Sequence, residues 1–286
     1  VPGPTDPRAT DEPTVPDRPD TATGAGPEGL RSARRLLRRR QREAEGRWLV
    51  EGPQAVTEAL AVPGLVQRVF LTAEAGRRQP ALPAAARDAG VPVVVVDEPT
   101  LRTLTETVTP QGVVAVTAAV QVDLDRALGP APRLVVVCAQ VRDPGNAGTV
   151  IRCADAFGAD AVVLTDSSVE LGNPKLLRAS VGSVFHLPVA TGVPLAVAVE
   201  ACRARGLQVL AADGSAADRL DELQRAGELA RPTAWVMGNE AWGLPPEDAA
   251  LADRSVGVPL WGSAESLNLA TAAAVCLYTT AAAQRG

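Results

Sequence analysis

Residues 134–164 read LVVVCAQVRDPGNAGTVIRCADAFGADAVVL, and their order decides the fold. The apolar run Leu134 to Cys138 predicts a strand, and a loop rich in Gly and Asn follows it. Helical periodicity over about 148–158 then leads to a second apolar run, Ala161 to Leu164. Strand, helix, strand in that order is a βαβ unit, which requires parallel strands and an α/β domain. Downstream, Asn173-Pro174 opens a short helix with Asn as cap and Pro at the first position. A helix over 194–205 stops at Gly206. Strands are predicted at Leu207 to Ala211, Ala234 to Met237 and Val256 to Leu260, with an Ala-rich helix from Ser266.

Working upstream, residues 121–132 (QVDLDRALGPAP) lose apolar periodicity and gather Gly129, Pro130 and Pro132, as a linker does. Residues 30–120 read as a smaller α/β unit. An Arg-rich helix leads into Trp48-Leu49-Val50, and Gly52-Pro53 opens a helix through Ala61. Strands follow at Val66 to Leu71, Val91 to Val96 (expected to be buried) and Val113 to Val116. Residues 1–29 hold six acids against two arginines among many Pro, Thr and Gly, the composition of a disordered acidic tail. The expected division is therefore a tail at 1–29, a small domain at 30–120, a linker at 121–132 and a parallel-sheet domain at 133–286.

The 286 residues are 46% hydrophobic and 21% charged, enough for a core that needs no disulfides. Cys138, Cys153, Cys202 and Cys276 form no C-x-x-C pair, and His186 is the single histidine. That inventory argues against a disulfide scaffold, a histidine-based triad and a structural zinc site, so no metal is expected. His186, in an apolar stretch after Phe185, is expected in a short strand as a satisfied core or interface histidine. The uncharged runs at 179–199 and 266–284 are broken by Gly and Pro or dominated by Ala and Thr, so neither reads as a membrane span. No secretory leader is read in the polar, Pro-rich first 20 residues, and the expected compartment is the cytoplasm. Net charge is −5, yet residues 31–47 hold eight arginines against Glu43 and Glu45, a local balance of +6. Such a block is either a solvated helix face or a site for a polyanion.

Three strand-following loops carry the chemistry, at the end of the sheet where open α/β folds bind ligands. They are Arg142-Asp143-Pro144-Gly145-Asn146-Ala147-Gly148-Thr149, Met237-Gly238-Asn239-Glu240-Ala241-Trp242-Gly243-Leu244-Pro245, and Val258-Pro259-Leu260-Trp261-Gly262-Ser263-Ala264-Glu265-Ser266-Leu267-Asn268. No G-x-G-x-x-G follows a strand and no G-x-x-x-x-G-K-[ST] occurs, which disfavours dinucleotide and nucleoside triphosphate enzymes. Together the loops resemble the three signature motifs of the SpoU/TrmH family, RNA ribose 2′-O-methyltransferases of the SPOUT superfamily. The first matches D-P-x-N-x-G-x-x-x-R through Arg152, the second G-x-E-x-x-G-[LM], and the third [IV]-P-[LM]-x-G-x-x-x-S-L-N. Residues 174–182, Pro174 to Gly182, resemble a fourth family segment. Asn268 is followed by Leu269-Ala270 where the family often has Val-Ser, and the acidic tail has no counterpart.

The resemblance implies a C-terminal domain with a deep trefoil knot, an exception to the rule that chains do not thread loops. Before it lies an RNA-substrate-binding domain. It further implies S-adenosylmethionine as cofactor, held by Gly238, Val258, Leu260 and Leu267, with Gly238 letting backbone approach the cofactor closely. Arg152, Asn146, Glu240, Ser266 and Asn268 match the catalytic positions. Arg152 is permanently protonated, so it is expected to grip a phosphate and stabilise developing alkoxide charge rather than act as a base. Glu240 either orients the hydroxyl or ties down its loop. RNA contacts are expected from Arg35, Arg38, Arg39, Lys175 and Arg178, and the family's homodimer is expected here. Trp235 reads as core, whereas Trp242 and Trp261 sit in motif loops where packing and base contact both fit. The expected substrate is ribosomal RNA. A transfer-RNA enzyme, a catalytically idle RNA-binding module and a base methyltransferase are the rival readings.

Overall fold

The computed structural model describes residues 27–286. The expected tail therefore lies outside the described residues up to residue 26, while Pro27, Glu28 and Gly29 open a helix, Pro27–Arg35. Where one Arg-rich helix was expected there are two, Pro27–Arg35 and Arg39–Glu45. The cause of the break is Leu36, which is fully buried among Ala33, Leu49 and Phe70. Arg38 then turns extended, and the freed carbonyls of Leu36 and Leu37 accept from Arg42 Nη1 at 2.9 and 2.8 Å.

The first domain is a four-stranded sheet in the order β1-β4-β2-β3, with β1 Arg47–Glu51, β2 Val66–Thr72, β3 Val93–Val96 and β4 Val113–Ala118. Only β2 and β3 run parallel. Against expectation β3 is a partly exposed edge, with Val95 47% accessible, because no described strand pairs beyond it.

The second domain is a seven-stranded sheet, parallel throughout. Its strands are β5 Leu134–Cys138, β6 Ala161–Thr165, β7 Val189–Val193, β8 Gln208–Ala212, β9 Asp218–Arg219, β10 Thr233–Met237 and β11 Arg254–Gly257. Their order is β7-β6-β5-β10-β8-β11-β9. Alternate residues of β5 feed opposite faces, as a strand requires. Leu134, Val136 and Cys138 pack under the helices Pro144–Ala156 and Leu269–Arg285, while Val135 and Val137 pack under Leu124–Leu128 and Leu195–Ala204. Residues 121–132, expected as a linker, thus hold a helix whose Ala127 and Leu128 are buried on the second sheet.

Three boundaries differ from the sequence reading. The helix after β5 begins at Pro144 rather than 148, because Asp143 caps it and turns D-P-G-N into a first helical turn. Strand β11 stops at Gly257, so Val258 and Leu260 lie beyond it, free to face the cleft. The last helix starts at Leu269 with Asn268, not Ser266, as its cap: Asn268 Oδ1 accepts from the N–H groups of Ala270 and Thr271 at 2.9 and 3.3 Å. No described helix is long and apolar enough to cross a membrane. Burial pushes the thiols of Cys138 and Cys276 up to about 12 and that of Cys202 to about 11, which makes them inert packing groups.

The two domains share one continuous core, and charged pairs stitch their seam. Buried Arg42 forks onto Glu170, beyond β6, at 2.7 and 2.8 Å. Glu51, at the end of β1, accepts from Arg178 at 3.0 Å and from the Thr107 hydroxyl at 2.8 Å. The Trp48 indole fills the space beside Gly172, where a Cβ would lie 2.4 Å from Nε1. His186, expected in a strand, instead ends a short 3-10 turn and is exposed. Its ring joins Asp155 at 2.8 Å and Glu58 at 3.3 Å across the seam.

Candidate functional site

The carboxyl ends of β5, β10 and β11 carry the three motif loops, and the second and third loops, with the end of β8, line a cleft of about 310 Å³. Met237, Val256, Val258, Leu260, Leu267 and Leu269 give it apolar walls, and Gly238, Asn239 and Ala241 border it with backbone. All four expected cofactor positions, Gly238, Val258, Leu260 and Leu267, line it, as do Glu240 and Ser266.

A chain of hydrogen bonds ties the three loops together beside that cleft. Asn268 Nδ2 donates to Asn146 Oδ1 at 3.0 Å, and Asn146 Nδ2 donates to Glu240 Oε1 at 3.3 Å. The Asp143 N–H reaches the same Glu240 oxygen at 3.1 Å. One residue from each motif therefore sets the position of the next. The first loop is itself rigid. Asp143 Oδ1 accepts from the Asn146 N–H at 2.8 Å, and Asp143 Oδ2 pairs with Lys175 at 3.1 Å. The Asn146 N–H and the Lys175 ammonium hold the Asp143 carboxyl below the usual carboxylate range, against the opposing effect of partial burial.

The second loop closes on itself. Asn239 and Gly243 exchange both backbone hydrogen bonds at 2.9 Å, and Asn239 Nδ2 donates to the Gln140 carbonyl at 2.7 Å. This gives Gly238 a further reason to lack a side chain. A Cβ there would meet the Gly243 carbonyl carbon at 2.5 Å, so its missing side chain makes room for the loop's own backbone. Gly148 serves similarly between helices, since a Cβ would sit 2.5 Å from the Leu176 carbonyl oxygen.

Arg152 is not brought into the cleft. It is exposed on the helix Pro144–Ala156, and no described residue forms an ion pair with it. Asp143, at the start of the same helix, pairs with Lys175 and not with Arg152. Arg178, expected at RNA, is occupied in the seam by Glu51. Arg35 and Arg39 are exposed but face Glu45 at 3.6 Å and Glu43 at 2.7 Å, while Arg38 is exposed with no described ion-pair partner. Trp235 is core, fully buried with its indole N–H on Thr280 at 2.9 Å. Sequence reading missed the contribution of β8. Ala212, Asp213 and Gly214 line the cleft, and the Asp-Gly pair after a predicted strand was the available signal.

The SpoU rRNA Methylase family model matches residues 133–278, and that of the MRM3-like substrate binding domain matches residues 28–115. The chain belongs to the SpoU rRNA methylase family. A relative from Bacillus subtilis (strain 168), named a 23S rRNA guanosine 2′-O-methyltransferase, is 36% identical over 86% of this chain and 92% of its own length. One from Streptomyces viridochromogenes, named a 23S rRNA uridine 2′-O-methyltransferase, is 36% identical over 59% of each chain. The solved SpoU methyltransferase AviRb from Streptomyces viridochromogenes, in complex with the cofactor AdoMet, superposes with a TM-score of 0.75 at 30% identity, covering 90% of this chain and 98% of that one. Within the SpoU family setting, two of the three motifs line the cleft and the third is bonded to them beside it.

Proposed function

We propose that this SpoU-family chain transfers a methyl group from S-adenosylmethionine to a ribose 2′-hydroxyl of ribosomal RNA. The observation that carries the reading is the bonded chain Asn268–Asn146–Glu240, which ties three separate loops together beside one cleft with apolar walls. The cleft fits the cofactor. Its volume falls in the range of small-molecule sites, its walls suit an adenine ring, and the backbone of the Gly238–Ala241 loop borders it. Gly238, Val258, Leu260 and Leu267 would hold the cofactor, which supplies a methyl already activated on a sulfonium.

The chain's own residues then have to align the ribose and steady its charge. Asn146 and Asn268, locked in place by each other, orient the hydroxyl, and Glu240 braces both motif loops while Ser266 faces the cleft. Arg152, a permanent cation, grips the phosphate beside the target and stabilises negative charge growing on the 2′-oxygen. Its outward position fits a homodimer in which each chain lends its arginine to the partner's cleft. The knot, the catalytic roles and the cytoplasmic setting belong to the same proposal. So does the division into a substrate-binding domain at 30–120 and a methyltransferase domain at 133–286, with residues 121–132 packed on the latter. Arg35, Arg38, Arg39 and Lys175 would hold the RNA backbone, while Arg178, engaged by Glu51, would support that surface from the seam.

The test is transfer of tritiated methyl from S-adenosylmethionine to ribosomal RNA, followed by mapping of methylated riboses in a deletion strain against wild type. Cofactor binding without methyl transfer to any RNA would leave only an idle binding module. Label recovered on a base would make the chain a base methyltransferase.

A further inference from the structure

Among the described residues the tryptophans divide sharply. Trp48 and Trp235 are buried, 3% and 0% exposed, whereas Trp242 and Trp261 are 51% and 88% exposed. Both exposed ones lie in loops that form the cleft. Trp242 sits between Ala241 and Gly243, and Trp261 follows Leu260, all three of which are lining residues. An indole left in water forfeits the burial that makes tryptophan worth having in a fold, so two such residues beside one cleft call for an occupant.

Trp242 is also aimed by a cation. The Arg142 guanidinium carbon stands 5.1 Å from its ring centroid, and Arg142 is itself exposed. A cation–π contact of this kind holds an indole in one orientation while keeping positive charge beside it. Arg142 directly precedes Asp143, whose loop carries Asn146, so the platform and the bonded motif residues share one rigid base. A flat π face next to a fixed positive charge matches one ligand chemistry closely: an unstacked nucleobase on a phosphate-bearing strand.

We infer that Trp242, held by Arg142, and Trp261 form a stacking platform for nucleobases at or next to the target ribose. The inference rests on the proposed RNA methyl transfer and adds how the strand is gripped. Stacking is tolerant of base identity because every base has a π face, so the platform holds the nucleotide without choosing it. It also lets the ribose be presented edge-on to the cleft, which a base paired in a duplex could not do.

The experiment uses the full chain and two probes, a ten-nucleotide single-stranded oligo(U) and an abasic ribose-phosphate strand of equal length. The wild type should bind oligo(U) more tightly, and Trp242→Ala and Trp261→Ala should each remove about tenfold of that preference. Binding of the abasic strand and of S-adenosylmethionine should stay unchanged. Trp242→Phe should recover most of the loss, and Arg142→Gln should lose part of it. In methyl transfer the same variants should raise KM for RNA with little change in kcat. Equal affinity for both strands in the wild type, or alanine variants that keep the preference, would overturn the platform. So would an alanine variant that changes sedimentation mass, because the tryptophans would then be a contact between chains. The strand-binding measurement needs no turnover, so a chain that moved no methyl would sink the proposed activity and leave the platform to be judged by binding alone.

Discussion

The domain seam and the motif cleft are built from similar material, polar residues on loops at strand ends, yet they spend it in opposite ways. In the seam the charged groups Arg42, Arg178 and His186 are each matched. Arg42 uses its fork on Glu170 and two carbonyls, Arg178 answers Glu51, and His186 lies between two carboxylates. In the cleft the motif residues brace one another and stop short of completion, while Arg152 outside it has no described ion-pair partner. A charge with all its partners present is holding the molecule together. A charge presented without one is available to a ligand. The contrast separates two arginines that composition alone treats as equal.

The largest expected effect tests the free arginine. Arg152→Ala should lower single-turnover methyl transfer at saturating cofactor by about 10²–10³-fold while its melting temperature and cofactor affinity hold. Arg152→Lys should rescue little, since a point charge does not reproduce the planar fork. Turnover near wild type in a folded Arg152→Ala chain would erase the distinction between cleft and seam. Mixing Arg152→Ala chains with Asn268→Ala chains should restore part of the activity if one chain serves its partner's cleft.

The matched arginine should behave in reverse. Arg42→Ala strips a buried partner from Glu170 and from two carbonyls, and broken buried pairs cost about 3–5 kcal/mol. Arg39 remains 3.8 Å from Glu170, so about 3 kcal/mol, read by urea unfolding, is the expected loss. Turnover per folded molecule should survive.

These expectations also measure what the sequence could tell. The βαβ unit and three motif loops were legible because each is a contiguous run with its own periodicity or spacing. Arg42 and Glu170 are 128 residues apart, and nothing local to either announces the other. Composition therefore counted Arg42 with its neighbours as a basic patch. The helix break at Leu36 was hidden for the same reason, since distant Leu49 and Phe70 bury that side chain. Gly238 could be found by motif, but its part in closing its own loop could not, because the backbone it admits returns five residues later.

A third prediction sharpens the comparison within the basic block. Neutralising Arg35, Arg38 and Arg39 together should weaken RNA binding and shallow its dependence on log salt by about 1–2, less than three free cations would give, because Glu45 and Glu43 already face two of them. An unchanged slope would assign the block to the seam's economy instead.

The smallest effect concerns His186. The Asp155 hydrogen bond raises its pKa above the ordinary 6.5, against partial desolvation, and Glu58 adds to the rise. A raised folded-state value means the contribution is whole below 6.5 and is lost as pH climbs through the folded value. The melting temperature should therefore fall by about one degree over that window, a small effect at so exposed a site. His186→Asn should flatten the change, and an unaltered pH profile in that variant would show that the Asp155–His186–Glu58 contact contributes nothing.

The hydrogen bond from Asn268 to Asn146 has a consequence in time. It joins residues 122 positions apart, the second member presented by the cap of the last described helix. Contacts so remote in sequence form late, after the intervening chain has been ordered. A ribosome making this protein releases the first motif long before the residue that completes it. On the roles proposed for Asn146 and Asn268, the growing chain would stay inert toward RNA until residue 268 has emerged and found its partner.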